Sequence, residues 1–106
     1  MSHKQSNIIE RDGQTLEVSF YYHLGGMNYF TGNSERRGYY LSVCPVQVTK
    51  IGNNIRSKSY TAFSGIKECV MEAKRYSEKV YQEAITLSKE KEEKLIKYVL
   101  SKQKVQ

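Results

Sequence analysis

The sequence predicts an α+β domain: a three-stranded antiparallel β-meander packed on one face by a long C-terminal helix. Three observations predict it. Residues 15–24 alternate apolar and polar with a period of two. Two further runs with strand character follow, each reached through a turn rich in Gly and Asn. After Gly65 there is no Gly or Pro, and apolar residues recur at helical spacing.

Residues 1–14 are polar apart from Ile8 and Ile9, and read as a flexible N-terminal arm ending at the Asp12-Gly13 turn signal. In the first strand Leu16, Val18, Phe20, Tyr22 and Leu24 point one way; Thr15, Glu17, Ser19, Tyr21 and His23 point the other. Gly25-Gly26 interrupts it, and a loop through Arg36 and Arg37 leads to a second strand from Tyr39 to about Thr49. There Tyr39, Leu41 and Val43 share a face, and beyond Pro45 the apolar parity moves to Val46 and Val48, which predicts a bulge at the proline. Gly52-Asn53-Asn54 makes the second turn, and residues 55–62 form the third strand, at an edge.

Ser64 is the expected N-cap of the helix. Its stripe is Ile66, Cys69, Val70, Ala73, Ser77, Val80, Ala84 and Leu87. Residues 88–94 hold no apolar side chain, so the helix either continues or breaks near Ser88. The chain therefore divides into the arm 1–14, a β-β-β-α core 15–87 and a charged helical extension 88–106. In that extension Leu95, Ile96, Val99 and Leu100 form an apolar patch suited to a homodimer through paired helices.

The 106 residues carry a net charge of +6. Residues 25–66 are the most one-sided, with five basic residues against one acidic. No run approaches the roughly 18 apolar residues of a membrane helix, and the N-terminus has no apolar targeting core. The expectation is a soluble cytoplasmic protein that does not engage a membrane. Cys44 and Cys69 stand 25 positions apart, which is neither a metal nor a redox spacing, and read as reduced thiols. His3 and His23 are the only histidines and have no carboxylate pattern around them. Gly25–Gly32 lacks the Gly-Lys-Ser/Thr ending of a phosphate loop. The reading is non-enzymatic: no catalytic residue, no metal and no cofactor.

Binding is the remaining class. With Leu16, Val18, Phe20, Tyr22, Leu41, Val43, Val46, Val48 and Phe63 under the helix, the opposite face presents Tyr21, His23, Tyr40, Arg56, Lys58 and Tyr60. Tyrosines stack on bases and cations neutralise phosphates. The expected ligand is nucleic acid, DNA ahead of RNA. Tyr21, Tyr40 and Tyr60 would stack, Arg56 and Lys58 would neutralise, and Arg36 and Arg37 would grip the backbone. Two other readings use the same residues. Cross-strand tyrosine pairs stabilise sheets unaided, and Tyr and Arg also anchor protein interfaces, here with an acidic host protein.

The segment Tyr60-Thr61-Ala62-Phe63-Ser64-Gly65-Ile66-Lys67-Glu68-Cys69 resembles the strand-to-helix junction of the arm-binding domain of tyrosine recombinases and the related plant-type three-stranded DNA-binding domain. That resemblance implies three strands, one helix and DNA as ligand over about residues 15–85. The inter-strand turns of that family are shorter than residues 25–38, and the C-terminal extension has no counterpart there. The strings GGMNYFTGNSERRGYYLSVCPV and YTAFSGIKECVMEAKR are similar to small proteins of gut bacteria and their phages or mobile elements. This second resemblance implies an accessory binder and assigns no residue a role.

Overall fold

The computed structural model describes residues 4–27, 32, 34–60 and 65–104; Ala62, Phe63 and Ser64 lie outside the described residues. The elements are β1 (Gln5–Arg11), β2 (Gln14–His23), β3 (Gly26–Met27), β4 (Ser34–Glu35), β5 (Gly38–Ile51), β6 (Asn54–Tyr60), β7 (Ile66–Glu72) and α1 (Glu78–Lys104). The class is α+β, with a long C-terminal helix, but the sheet is not a three-stranded meander. β1, β2 and β5 lie side by side and antiparallel. The far edge of β5 carries β7 along its first half and β6 along its second. β3 and β4 form a separate two-stranded ribbon.

The extra strands arise where the sequence suggested something else. β1 occupies the expected flexible arm. Asp12 and Gly13 both take positive φ (52° and 75°), the type I′ geometry whose twist matches a hairpin. The turn folds residues 5–11 onto β2, where the Ser6 and Ser19 hydroxyls meet at 2.7 Å. Arg11 then reaches α1 and grips Glu93 with both terminal guanidinium nitrogens, at 2.8 and 3.0 Å.

β7 occupies what read as the first turns of the helix. Ile66, Cys69 and Val70 fit helical spacing, but the unpaired edge of β5 takes them as a strand. A bulge between Tyr39 and Tyr40 leaves Val70 as the extra residue, so Ile66 and Val70 both pack on the core. Gly38 permits the close approach at the end of this pair. A Cβ there would collide with the Met71 carbonyl and stand 2.8 Å from Glu72 Cα.

Pro45 produces no change of parity. It sits opposite Leu16 in regular register, and the second bulge lies at Thr49/Lys50. The proline falls where β5 changes partner from β7 to β6, a position where a missing N–H costs least. Val46 and Val48 therefore keep the parity of Cys44 and face away from the side of Leu16, a correction to their expected place under the helix.

α1 starts at Glu78, after Ser77, whose hydroxyl accepts from the Val80 N–H at 3.5 Å. It runs unbroken through Ser88, whose hydroxyl is turned inward to the Ile85 carbonyl at 2.8 Å. Its 27 residues span about 40 Å at 1.5 Å each, the long dimension of the molecule. The segment 88–104 is thus no extension. It lies across the sheet, where Leu95, Ile96, Val99 and Leu100 pack against Leu16, Val18, Leu41 and Val43. Phe20, Tyr39, Tyr81 and Ala84 form the second half of the core, with Tyr22 and Tyr76 against them. Among the described residues no helix is long and apolar enough to cross a membrane.

Candidate nucleic-acid interface

β2 accompanies β5 only from Gly38 to Pro45. Residues 46–51 pair with β6 instead, and β6 packs on no other element among the described residues. The two strands make a ribbon about 20 Å long, at roughly 3.4 Å per residue. It is closed by Gly52-Asn53, with positive φ at Gly52 (63°) and not at Asn53, the II′ pattern.

Residues 46–60 contain Lys50, Arg56 and Lys58 and no Asp or Glu. Gln47 sits opposite Ser59 and Thr49 opposite Ser57, so alternate positions place these four on one face, and all four are exposed. Arg56 is exposed too, at the bulge. Ile51 and Ile55, at the tip, are 59% and 42% exposed. Lys50 Nζ lies 3.6 Å from Glu10 Oε1 in a pair open to water on both sides. Such a pair is worth less than about 1 kcal/mol.

The flat face opposite α1 differs from the sequence reading. Tyr21 and Tyr40 are cross-strand neighbours whose rings stack at 6.1 Å and 17°. Tyr40 is only 5% exposed, and its hydroxyl donates to the Arg36 carbonyl at 2.7 Å. Lys67 lies 5.6 Å from the Tyr40 ring centroid and Lys4 5.8 Å from that of Tyr21. Glu35 brings a carboxylate into the group: it ion-pairs with Lys67 and approaches His23 Nε2 at 3.6 Å. His23 Nδ1 accepts from the Gly25 N–H at 2.7 Å, which leaves its ring proton to Nε2. Burial above all, then the Glu35 and Tyr40 charges, pushes the Tyr21 hydroxyl up to about 12. Burial, then Cys69 and Glu35, also raises Tyr40. The stacking that the sequence assigned to bases is made between the two tyrosines, and Tyr40 is a correction: it is no platform for a ligand.

The remaining expected residues do not converge. The Arg37 guanidinium donates to the Leu24 carbonyl at 2.9 Å and the Lys74 carbonyl at 3.3 Å, so it ties the chain together. The Arg36 side chain is 74% exposed, 3.4 Å from Glu72, and lies beyond the opposite end of β5 from the ribbon. Lys58 and Tyr60 sit opposite Val48 and Val46, and their side chains lie outside the described residues. Leu95, Ile96, Val99 and Leu100 are buried within the chain, so they offer no surface to a second copy, which corrects the expected helix-paired dimer. Cys44 and Cys69 are free, and burial, with the nearby Glu17 charge, raises the Cys44 thiol. Among the described residues no three His, Cys, Asp or Glu side chains gather as for a metal ion.

Sequence reasoning overlooked the Glu35–Lys67 pair and the polar ribbon face. The second had a signal in the sequence: fifteen residues with three cations and no carboxylate. No family model, no curated protein and no solved structure matches the chain.

Proposed function

We propose that the chain is a non-enzymatic nucleic-acid-binding protein whose contacting element is the β5–β6 ribbon, with duplex DNA as the ligand. The carrying observation is a two-stranded ribbon whose second strand packs on β5 alone among the described residues, and whose residues 46–60 hold three cations and no carboxylate. A B-form major groove, about 12 Å wide, admits a two-stranded ribbon, whereas the A-form groove of RNA is too deep and narrow. Lys50, Arg56 and Lys58 neutralise phosphates, and Gln47, Thr49, Ser57 and Ser59 offer donors and acceptors to base edges. Fluorescence anisotropy with labelled duplex DNA, single-stranded DNA and duplex RNA tests this. Duplex DNA should bind tightest, weaken with salt, and be lost in a Lys50→Ala, Arg56→Ala, Lys58→Ala variant. Absence of binding at low salt, or an unaffected triple variant, overturns the proposal.

A second reading, a module that binds an acidic host protein through residues 25–38, draws on Leu24 and Met27, 68% and 60% exposed beside Arg36. It takes precedence if nucleic acid fails to bind at low salt.

A further inference from the structure

The two edges of the sheet are built differently. The β6/β7 edge is made of two separate strands, bears a bulge in each pairing with β5 and carries Arg56, Lys58 and Lys67. Such devices keep an edge from recruiting another strand. β1 has none of them in its middle. Its seven residues pair with β2 in unbroken register, contain no Pro, and are uncharged from Gln5 to Ile9. Among the described residues β2 is the strand that β1 pairs with, and β1 ends the strand order, so its outer backbone edge has no strand beside it.

We propose that this edge docks a second copy of the chain, joining the two sheets about a two-fold axis. A two-fold pairing of antiparallel strands keeps residue parity, so helices of both copies lie on the same side. The register that overlaps all of β1 places Ile8 on the axis, against Ile8 of the second copy. It then sets Asn7 against Ile9, Ser6 against Glu10, Gln5 against Arg11 and Lys4 against Asp12. No like charges meet, and the ends are complementary. The sheet becomes continuous through two copies, and the two ribbons become symmetry mates.

The experiment needs no nucleic acid, so its failure is separate from that of the ribbon reading. Light scattering from low to high micromolar concentration should show the mass rising to two copies. Ile8→Lys and Ile8→Glu each put like charges face to face on the axis, and each should remain a monomer. An equimolar mixture of the two should recover the two-copy mass. Hydrogen exchange of the unaltered chain should show concentration-dependent protection of amides in residues 5–11, a readout independent of how the variants fold. A wild-type chain that stays monomeric, variants that dimerise as wild type does, a mixture that fails to pair, or β1 amides insensitive to concentration would each overturn the proposal.

Discussion

Arg56→Ala should remove about one phosphate's worth of salt dependence from DNA binding. Each neutralised phosphate contributes a slope of about −0.9 to log K against log salt. Three ribbon cations, Lys50, Arg56 and Lys58, give about −2.7, so a fourfold rise in salt weakens binding about 40-fold. Without Arg56 the slope falls to about −1.8, and the same rise weakens binding about 12-fold. The competing Glu10–Lys50 pair is exposed on both sides, and at under about 1 kcal/mol it reduces affinity by no more than about fivefold. Glu10→Gln should recover that factor. Arg36→Ala is the control, because Arg36 lies past the other end of β5 and should leave the slope unchanged. Anisotropy titrations at four or more salt concentrations read the slopes. Equal slopes for Arg56→Ala and wild type, or an equal loss in Arg36→Ala, would refute the assignment of binding to the ribbon.

Ile96 is 1% exposed against Leu16, Val18, Leu41 and Val43, so Ile96→Ala should cost about 3–4 kcal/mol in urea unfolding, while Tyr98→Ala, from a residue 48% exposed, should cost under about 1. Similar small losses in both would mean that the end of α1 does not pack on the sheet. Gly38→Ala should destabilise far more than Gly52→Ala, as a Cβ at 38 meets the β7 backbone and one at 52 meets nothing within 4 Å, though positive φ still strains it. Tyr21 holds its proton more tightly folded than unfolded, so its contribution to stability is complete below pH 10 and is lost as pH rises towards 12. In an ultraviolet titration Tyr21→Phe should remove one late-ionising hydroxyl, and an unchanged late phase would contradict its burial.

The sequence made the core of the sheet legible because burial there follows a two-residue period. Leu16, Val18, Phe20, Leu41 and Val43 are all buried where alternation put them. Residues 66–72 were not legible, because Ile66, Cys69 and Val70 satisfy a helix as well as a bulged strand. The deciding factor, an unsatisfied edge of β5, is a property of another segment. β1 was hidden for a related reason. Gln5, Ser6 and Asn7 are weak strand formers, and the I′ turn and the exposed backbone of β2 override that preference. Pro45 misled in the opposite direction: it marks a change of partner along β5, and a proline at a bulge gives the same local signal.

The tyrosines carry the lesson about the site. A ring on a strand has the same sequence signature whether it awaits a base or packs on its neighbour, and the difference lies in where the hydroxyl can reach. Tyr39 is fully buried, and its hydroxyl both donates to the Ser77 carbonyl (3.2 Å) and accepts from the Ser77 N–H (3.1 Å), which fixes the start of α1. Tyr22 donates to the Ala73 carbonyl at 3.0 Å, in the connection before that helix. Tyr40 donates to the Arg36 carbonyl in the same manner on the other face. Each of these residues supplies apolar area together with one polar group that satisfies a main-chain atom, which phenylalanine could not do. The aromatic richness of residues 20–40 is therefore largely a means of docking the helix and the loop. Among the described residues Lys50 and Arg56 have no such main-chain anchor, and that is the physical reason for proposing them, rather than the tyrosine face, as the contacts for a ligand.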